Sequence, residues 1–169
     1  MFAINTTTTL STPVLQANSP FTNSFLSGTD FQVMGNSGNG NMRGMVQSVA
    51  NLGCNVTDFA GFTSGRIALV QRGVCNFQQK IENAFSANAT AVIIFNSGTP
   101  GNTGLFSGTT GYGNGSPIPV LAVNYWLGVA LSSYTDLDVS IVVNASLETV
   151  WTMNVIAGKK KRNSSKFWR

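Results

Sequence analysis

Residues 65–80, Gly65-Arg66-Ile67-Ala68-Leu69-Val70-Gln71-Arg72-Gly73-Val74-Cys75-Asn76-Phe77-Gln78-Gln79-Lys80, with their continuation through Ile81 to Asn96, decide how this chain folds. Ile67 to Val70 is a short apolar run closed by an Arg-Gly turn, the pattern of a buried strand. Asn76 is placed to cap a helix, because its side-chain oxygen reaches orphan amides and Gln79 stands three residues on, as in a capping box. Phe77, Ile81, Ala84 and Phe85 follow at i, i+4, i+7 and i+8, which is one apolar helix face. Asn88 tolerates the left-handed conformation and ends the helix, and Ala91-Val92-Ile93-Ile94-Phe95 reads as a second buried strand. Strand, helix and strand in so short a span make a right-handed crossover with the two strands parallel.

The same stretch resembles the signature of the protease-associated (PA) domain, in which a strand, an Arg-Gly turn, a Cys-x-Phe-x-x-Lys helix start and a second apolar strand recur in that order. The resemblance extends upstream to Cys54-Asn55-Val56-Thr57-Asp58-Phe59, downstream to Ile118-Pro119-Val120-Leu121-Ala122-Val123, and covers residues 30–150. Ala87-Asn88-Ala89 stands where the family has Ala-Gly-Ala, a change that keeps a residue able to take positive φ. On this resemblance Asp58, Arg72, Gly73, Phe77 and Lys80 are a structural signature. The fold expected is a single β-rich α/β domain, an open β-barrel or two-sheet sandwich of short strands, with helices near 76–87 and 124–132. The resemblance also implies edge strands across the region before Cys54.

A chain of 169 residues suits one domain and is large enough to bury a core without a metal. With 9% charged and 43% hydrophobic residues, its composition is neither that of a disordered chain nor that of a nucleic-acid binder. No apolar run approaches the eighteen or so residues of a membrane span. The net charge of +4 is local: six of the ten basic residues (Lys159, Lys160, Lys161, Arg162, Lys166, Arg169) fall in the last eleven positions. Residues 1–158 hold Arg43, Arg66, Arg72 and Lys80 against all six acids, a net of −2. A mildly acidic body therefore carries a basic tail.

Cys54 and Cys75 are the only cysteines, and the absence of His speaks against a zinc site. The resemblance and the sequons point to a Cys54–Cys75 disulfide, stabilising by roughly 3 kcal/mol in the chain-entropy model. Two buried thiols in a reducing compartment are the other reading. Six Asn-x-Ser/Thr sequons, at Asn5, Asn55, Asn88, Asn114, Asn144 and Asn163, lean toward a secreted or lumenal and vacuolar setting, with Asn55, Asn88, Asn114 and Asn144 the glycosylation candidates. Met1 to Leu10 has neither a basic start nor an apolar core, so no signal peptide is visible and the sequence reads as an excised piece or an incomplete gene product.

Taken in order, residues 1–29 read as an extended Thr/Ser/Asn-rich arm, 30–157 as the PA domain and 158–169 as a basic, disordered and dispensable tail. Phe31 to Met34 suggest a short strand, and Gly44 to Ala50 another leading to Cys54. Asp58 reads as a turn former that bonds its own backbone, and Arg72 as a residue holding its turn through carbonyls or through Asp58. Ser97 to Ser116 contains seven glycines in twenty residues, too many for helix or strand. It lacks the Lys-Ser/Thr of a phosphate loop and reads as a flexible lid or contact surface. Asn124 caps a short helix through Leu131, Asp138 to Asn144 forms a strand with Asp136 in a solvated turn, and Leu147 to Ile156 forms another.

With no His there is no Ser-His-Asp triad, no Cys-His dyad and no His-rich zinc site, so the chain is expected to be non-catalytic and to need no cofactor. Trp151-Thr152-Met153-Asn154-Val155-Ile156-Ala157 resembles the exit from the PA insert of secreted or vacuolar zinc aminopeptidases of the aminopeptidase Y type. That implies an interaction module which covers a peptidase active site or helps select substrate. Its partners would be a peptide or protein substrate, an adjoining peptidase domain, or both, with no nucleic acid and no membrane span in this chain. The alternative is the lumenal PA domain of a cargo-sorting receptor or a membrane-anchored RING ubiquitin ligase.

Overall fold

The computed structural model describes residues 12–143 in full and, for residues 4–9 and 148–153, the backbone of two strands. These two, β1 (Ile4–Thr9) and β10 (Glu148–Met153), pair antiparallel and belong to one compact unit. The second unit, residues 11–145, holds everything else. The basic tail and the sequons at Asn144 and Asn163 lie outside the described residues.

The larger unit is a β-rich α/β fold in which β2 (Val14–Ser19), β3 (Asn23–Phe25), β4 (Phe31–Val33), β5 (Gly40–Ser48), β6 (Ile67–Gln71), β7 (Ala91–Phe95), β8 (Val120–Val123) and β9 (Asp138–Val143) form one nearly closed, barrel-like sheet. The strand order is β3-β2-β9-β5-β6-β7-β8-β4. β5 to β8 are mutually parallel, while β9, β2, β3 and β4 join them antiparallel. The expected crossover is present: α1 (Phe77–Ser86) links β6 to β7, whose registers run Ile67↔Ala91 through Gln71↔Phe95. Asn76 caps α1 by accepting from the Gln79 amide at 2.8 Å, and Asn88 ends the turn after it at φ 59°. In the same way Asn124 caps α2 (Tyr125–Ser132) through the Leu127 amide at 2.8 Å.

Strand alternation divides the core in two. Ile67, Leu69, Ala91, Ile93, Leu121 and Val123 point to one side and pack with Leu131 of α2 and with Leu15, Val139 and Ile141 of the antiparallel strands. Ala68, Val70, Val92, Ile94, Val120 and Ala122 point to the other and pack with Ile81 and Ala84 of α1 and with Phe59 and Phe106. The two helices therefore cover opposite faces of the same three strands, β6, β7 and β8.

Three expectations need correction. Residues 14–25, read as part of an arm, supply β2 and β3, with Leu15 and Ala17 fully buried and the flanking Val14, Gln16 and Asn18 less so, a period-two pattern thinly written in polar letters. β5, expected near an edge, lies between β9 and β6, since its backbone pairs on both sides although few of its side chains are buried. On α1 the buried face is Lys80, Ile81 and Ala84 with Phe77 partly buried beside them, and Phe85 is left half exposed.

Candidate functional site

The signature residues meet at the carboxyl ends of β6 and β7, the edge of a parallel sheet where α/β folds form their crevices. Arg72-Gly73-Val74-Cys75 leaves β6 there, Asn96 and Ser97 leave β7, and the loop 51–55 leads into a single 3-10 turn over Val56–Phe59. Cys54 and Cys75 are joined in a disulfide, their Cα atoms 5.8 Å apart, so the loop and the start of α1 are one covalent corner.

Around that bond α1 grips three consecutive carbonyls. Gln79 Nε2 donates to the oxygen of Cys54 at 2.8 Å, Asn83 Nδ2 donates to that of Gly53 at 3.0 Å, and Lys80 Nζ donates to that of Leu52. Gln79 thus spends its side chain on the disulfide loop rather than on closing a capping box. Lys80 is fully buried, with Nζ 3.7 Å from Cys54 Sγ. Burial pushes its pKa down to about 8, and the charge of Asp58 partly opposes the fall.

Asp58 is 6% exposed and acts within its own loop: Oδ1 accepts from Asn51 Nδ2 at 2.9 Å and Oδ2 from the Asn55 amide at 3.0 Å. These bonds, the Asn51 one foremost, hold its carboxyl below the usual carboxylate range. It is the backbone-bonding turn former that its position suggested. Arg72 does not reach it. Its Nη1 donates to Asn96 Oδ1 at 3.2 Å, and its guanidinium lies 5.0 Å from the centre of the Phe106 ring. Phe106 in turn stacks on Phe77, their centroids 5.8 Å apart.

Through Phe106 the Gly-rich loop, expected as a lid or contact surface, is fastened to the body. Asn96 Nδ2 donates to Gly104 O at 2.8 Å, Gln32 Nε2 donates to Phe106 O, and Thr110 Oγ1 donates to Asn36 O at 2.8 Å. Sequence reasoning missed Asn51, Asn83, Asn96 and Phe106. Only Asn83 had a legible signal, standing four residues after Gln79 and three after Lys80 on one helix face.

The outer surface of this corner is a hollow of about 230 Å³ lined by Asn51, Leu52, Cys54, Asn55, Asp58 and Val74. Val74 is 96% exposed and Val56 69%, so two apolar side chains stand in water near the disulfide. Among the described residues no three His, Cys, Asp or Glu side chains gather as metal ligands. The side chains of Asp58, Gln79, Lys80 and Asn83 are each committed to a neighbour within this corner. Asp138, at the start of β9, accepts from Arg43 at 2.6 Å on the far strands. Of the glycosylation candidates, Asn55, Asn88 and Asn114 are exposed. No helix among the described residues is long and apolar enough to cross a membrane.

Residues 42–131 match the PA domain family. An aminopeptidase of Pseudomonas aeruginosa is 46% identical over 112 residues, which are 66% of this chain and 21% of that protein. Leucine aminopeptidase 2 of Trichophyton equinum is 35% identical over 113 residues, 65% of this chain and 22% of that protein. The chain thus spans about a fifth of the length of these curated relatives. Among solved structures, the aminopeptidase from Aneurinibacillus sp. strain AM-1 superposes with TM-score 0.67 at 21% identity, over 90% of this chain and 37% of that one. BSAP, a zinc aminopeptidase from Bacillus subtilis, gives 0.60 at 20% identity, over 84% and 33%. At that identity these two likenesses speak for the fold.

Proposed function

The chain belongs to the PA domain family, and from that premise we propose that it is the non-catalytic, peptide-contacting module of a metallo-aminopeptidase-like protein. The observation that carries the reading is that relatives sharing 46% and 35% identity across this module are aminopeptidases several times its length. The site supports it. A disulfide, a buried lysine and an internally bonded aspartate fix the corner rigidly, while Val74 and Val56 offer the apolar contact that a peptide side chain or a neighbouring domain seeks. The role is to cover the peptidase active site or to help select the substrate that reaches it. The disulfide and the exposed sequons at Asn55, Asn88 and Asn114 support an oxidising, secreted or vacuolar location within this reading.

Two measurements on the 169-residue chain test this. With zinc added, purified protein should give only background release from aminoacyl-nitroanilide substrates, whereas turnover that co-purifies with it and survives chelators would sink the non-catalytic reading. Short apolar peptides should shift amide resonances of the chain in an NMR titration, and a silent spectrum across a panel of such peptides would remove the peptide-contacting part.

A further inference from the structure

A second hollow lies on the α2 side of the sheet and shares no residue with the disulfide corner. The end of β5 (Gln47, Ser48), Arg66 just before β6, Ser132 at the end of α2, and Tyr134 and Thr135 after it line an open hollow of about 270 Å³. Arg66 is anchored by its backbone, its amide donating to Thr63 O at 3.2 Å and its carbonyl accepting from the Thr90 amide at 3.0 Å. Its guanidinium makes no hydrogen bond or ion pair among the described residues, although it carries five donors and no acceptor. The only ion pair among those residues is Arg43–Asp138, and no carboxylate lines this hollow.

The walls are set. Gln47 donates to Gly61 O and accepts from the Thr63 amide, both at 3.0 Å, so its amide cannot swing in to satisfy Arg66. Ser132 Oγ donates to Val129 O at 2.8 Å, while the hydroxyls of Ser48 and Thr135 have no partner among the described residues. Tyr134 is held by Phe21, ring centroids 5.2 Å apart, and gives the hollow one aromatic wall.

A half-buried, uncompensated guanidinium beside two free hydroxyls calls for an oxyanion. The C-terminal turn of α2 faces the same space, and its partial negative charge weighs against a doubly charged phosphate. At about 30 Å³ per water the hollow holds about nine water volumes, the room for one amino-acid residue. We propose that it binds the C-terminal residue of a peptide, with the carboxylate on Arg66 and the side chain against Tyr134. The inference rests on the peptide-contacting reading above and sharpens it. A module that holds a peptide's C-terminus while a peptidase works on the N-terminus selects substrates by length.

The test is an NMR titration of the full chain with acetyl-Ala-Leu as the free acid, the same dipeptide as its C-terminal amide, and inorganic phosphate. The free acid should shift the amides of Ser48, Arg66 and Thr135, the amide and phosphate should leave them in place, R66Q should weaken binding about tenfold or more, and R66K should retain part of it. Equal shifts from the C-terminal amide, or shifts unchanged in R66Q, overturn the proposal. Equal shifts from phosphate overturn the carboxylate assignment. Shifts confined to residues around Val56 and Val74 overturn this site and leave the peptide-contacting function standing, whereas no shift from any peptide removes both. Melting temperature and spectral dispersion of R66Q establish that it is folded, and R66K supplies the readout if it is not.

Discussion

The two helices cover opposite faces of the same three parallel strands, β6 to β8, yet they are held by different physics. α1 is fastened by direction: a disulfide at its entry and three side-chain bonds from Gln79, Lys80 and Asn83 to the carbonyls of residues 52–54. α2 is fastened by shape. Gly128 lies so close to β7 that a Cβ there would stand 2.1 Å from Phe95 Cβ, and Leu131 is buried in the core beneath it. Directional bonds fix a loop's geometry as well as the helix, so the α1 face presents a preset surface. Close packing fixes only distance, and the α2 face leaves Trp126 68% exposed and Arg66 uncompensated. The residues that the family signature names all lie on the first face.

The largest effect should come from the disulfide. Replacing Cys54 and Cys75 together by Ala removes a cross-link over 21 residues and should cost about 3 kcal/mol. In a domain of this size that lowers the melting temperature by about 6–12 °C. Hydrogen exchange should then rise in residues 51–60 and in α1 while α2 keeps its protection. Equal loss of protection in both helices would mean that the disulfide does not act on α1 alone.

Gly128→Ala attacks the other face. The new methyl meets Phe95 Cβ and Cγ, at 2.1 and 2.2 Å, so the helix must lift from the strand, at a cost of about 2 kcal/mol in denaturant unfolding. A neutral result would mean that α2 is not held by close approach. The caps supply an internal control, because both helices start with an Asn that accepts from the third amide at 2.8 Å. Asn76→Ala and Asn124→Ala should each cost about 1 kcal/mol and differ little. A loss at Asn76 well above that at Asn124 would show that the α1 cap is coupled to the disulfide.

Much of the α1 face could be read before the fold was known, because its information is local. The apolar run 67–70, the capping Asn76, the i, i+4, i+7 face and the αL-tolerant Asn88 lie within one stretch and act on their neighbours in sequence. What was hidden depends on partners far away along the chain. Leu15 and Ala17 become inward-facing strand residues only because β9, more than a hundred residues later, pairs beside them at Leu15↔Ile141 and Ala17↔Val139. Lys80 is marked only by the family resemblance, as a signature residue, and its burial is explained by the Leu52 carbonyl, which no periodicity predicts. The Arg66 hollow gathers residues from 47–48, 66 and 132–135, each unremarkable where it stands in the sequence.

The smallest effect, and the most specific to the directional face, is in the pH dependence of stability. Lys80 titrates near 8 in the folded chain, while an unfolded lysine titrates near 10.4. Between these values the unfolded chain holds a proton that the folded chain has released, so stability rises with pH across that window. Tyr112 acts in the opposite sense, because burial raises its pKa and its contribution is lost only as pH climbs past the ordinary tyrosine range. Asp58, with its pKa lowered, contributes stability above the ordinary aspartate pKa that is lost as pH falls through its folded value. Among the described residues, a measurement confined to pH 7.5–9.5 therefore isolates the lysine. The chain should show a small rise in denaturant midpoint over that interval, and Lys80→Met, which keeps the buried stem and removes the titrating group, should abolish the rise. The same variant leaves the Leu52 carbonyl without its donor and is expected to be less stable by about 1–3 kcal/mol at pH 7.5. If the variant keeps the slope, the titrating group lies elsewhere, and the ammonium at the heart of the α1 grip is not the partly desolvated charge that its burial implies.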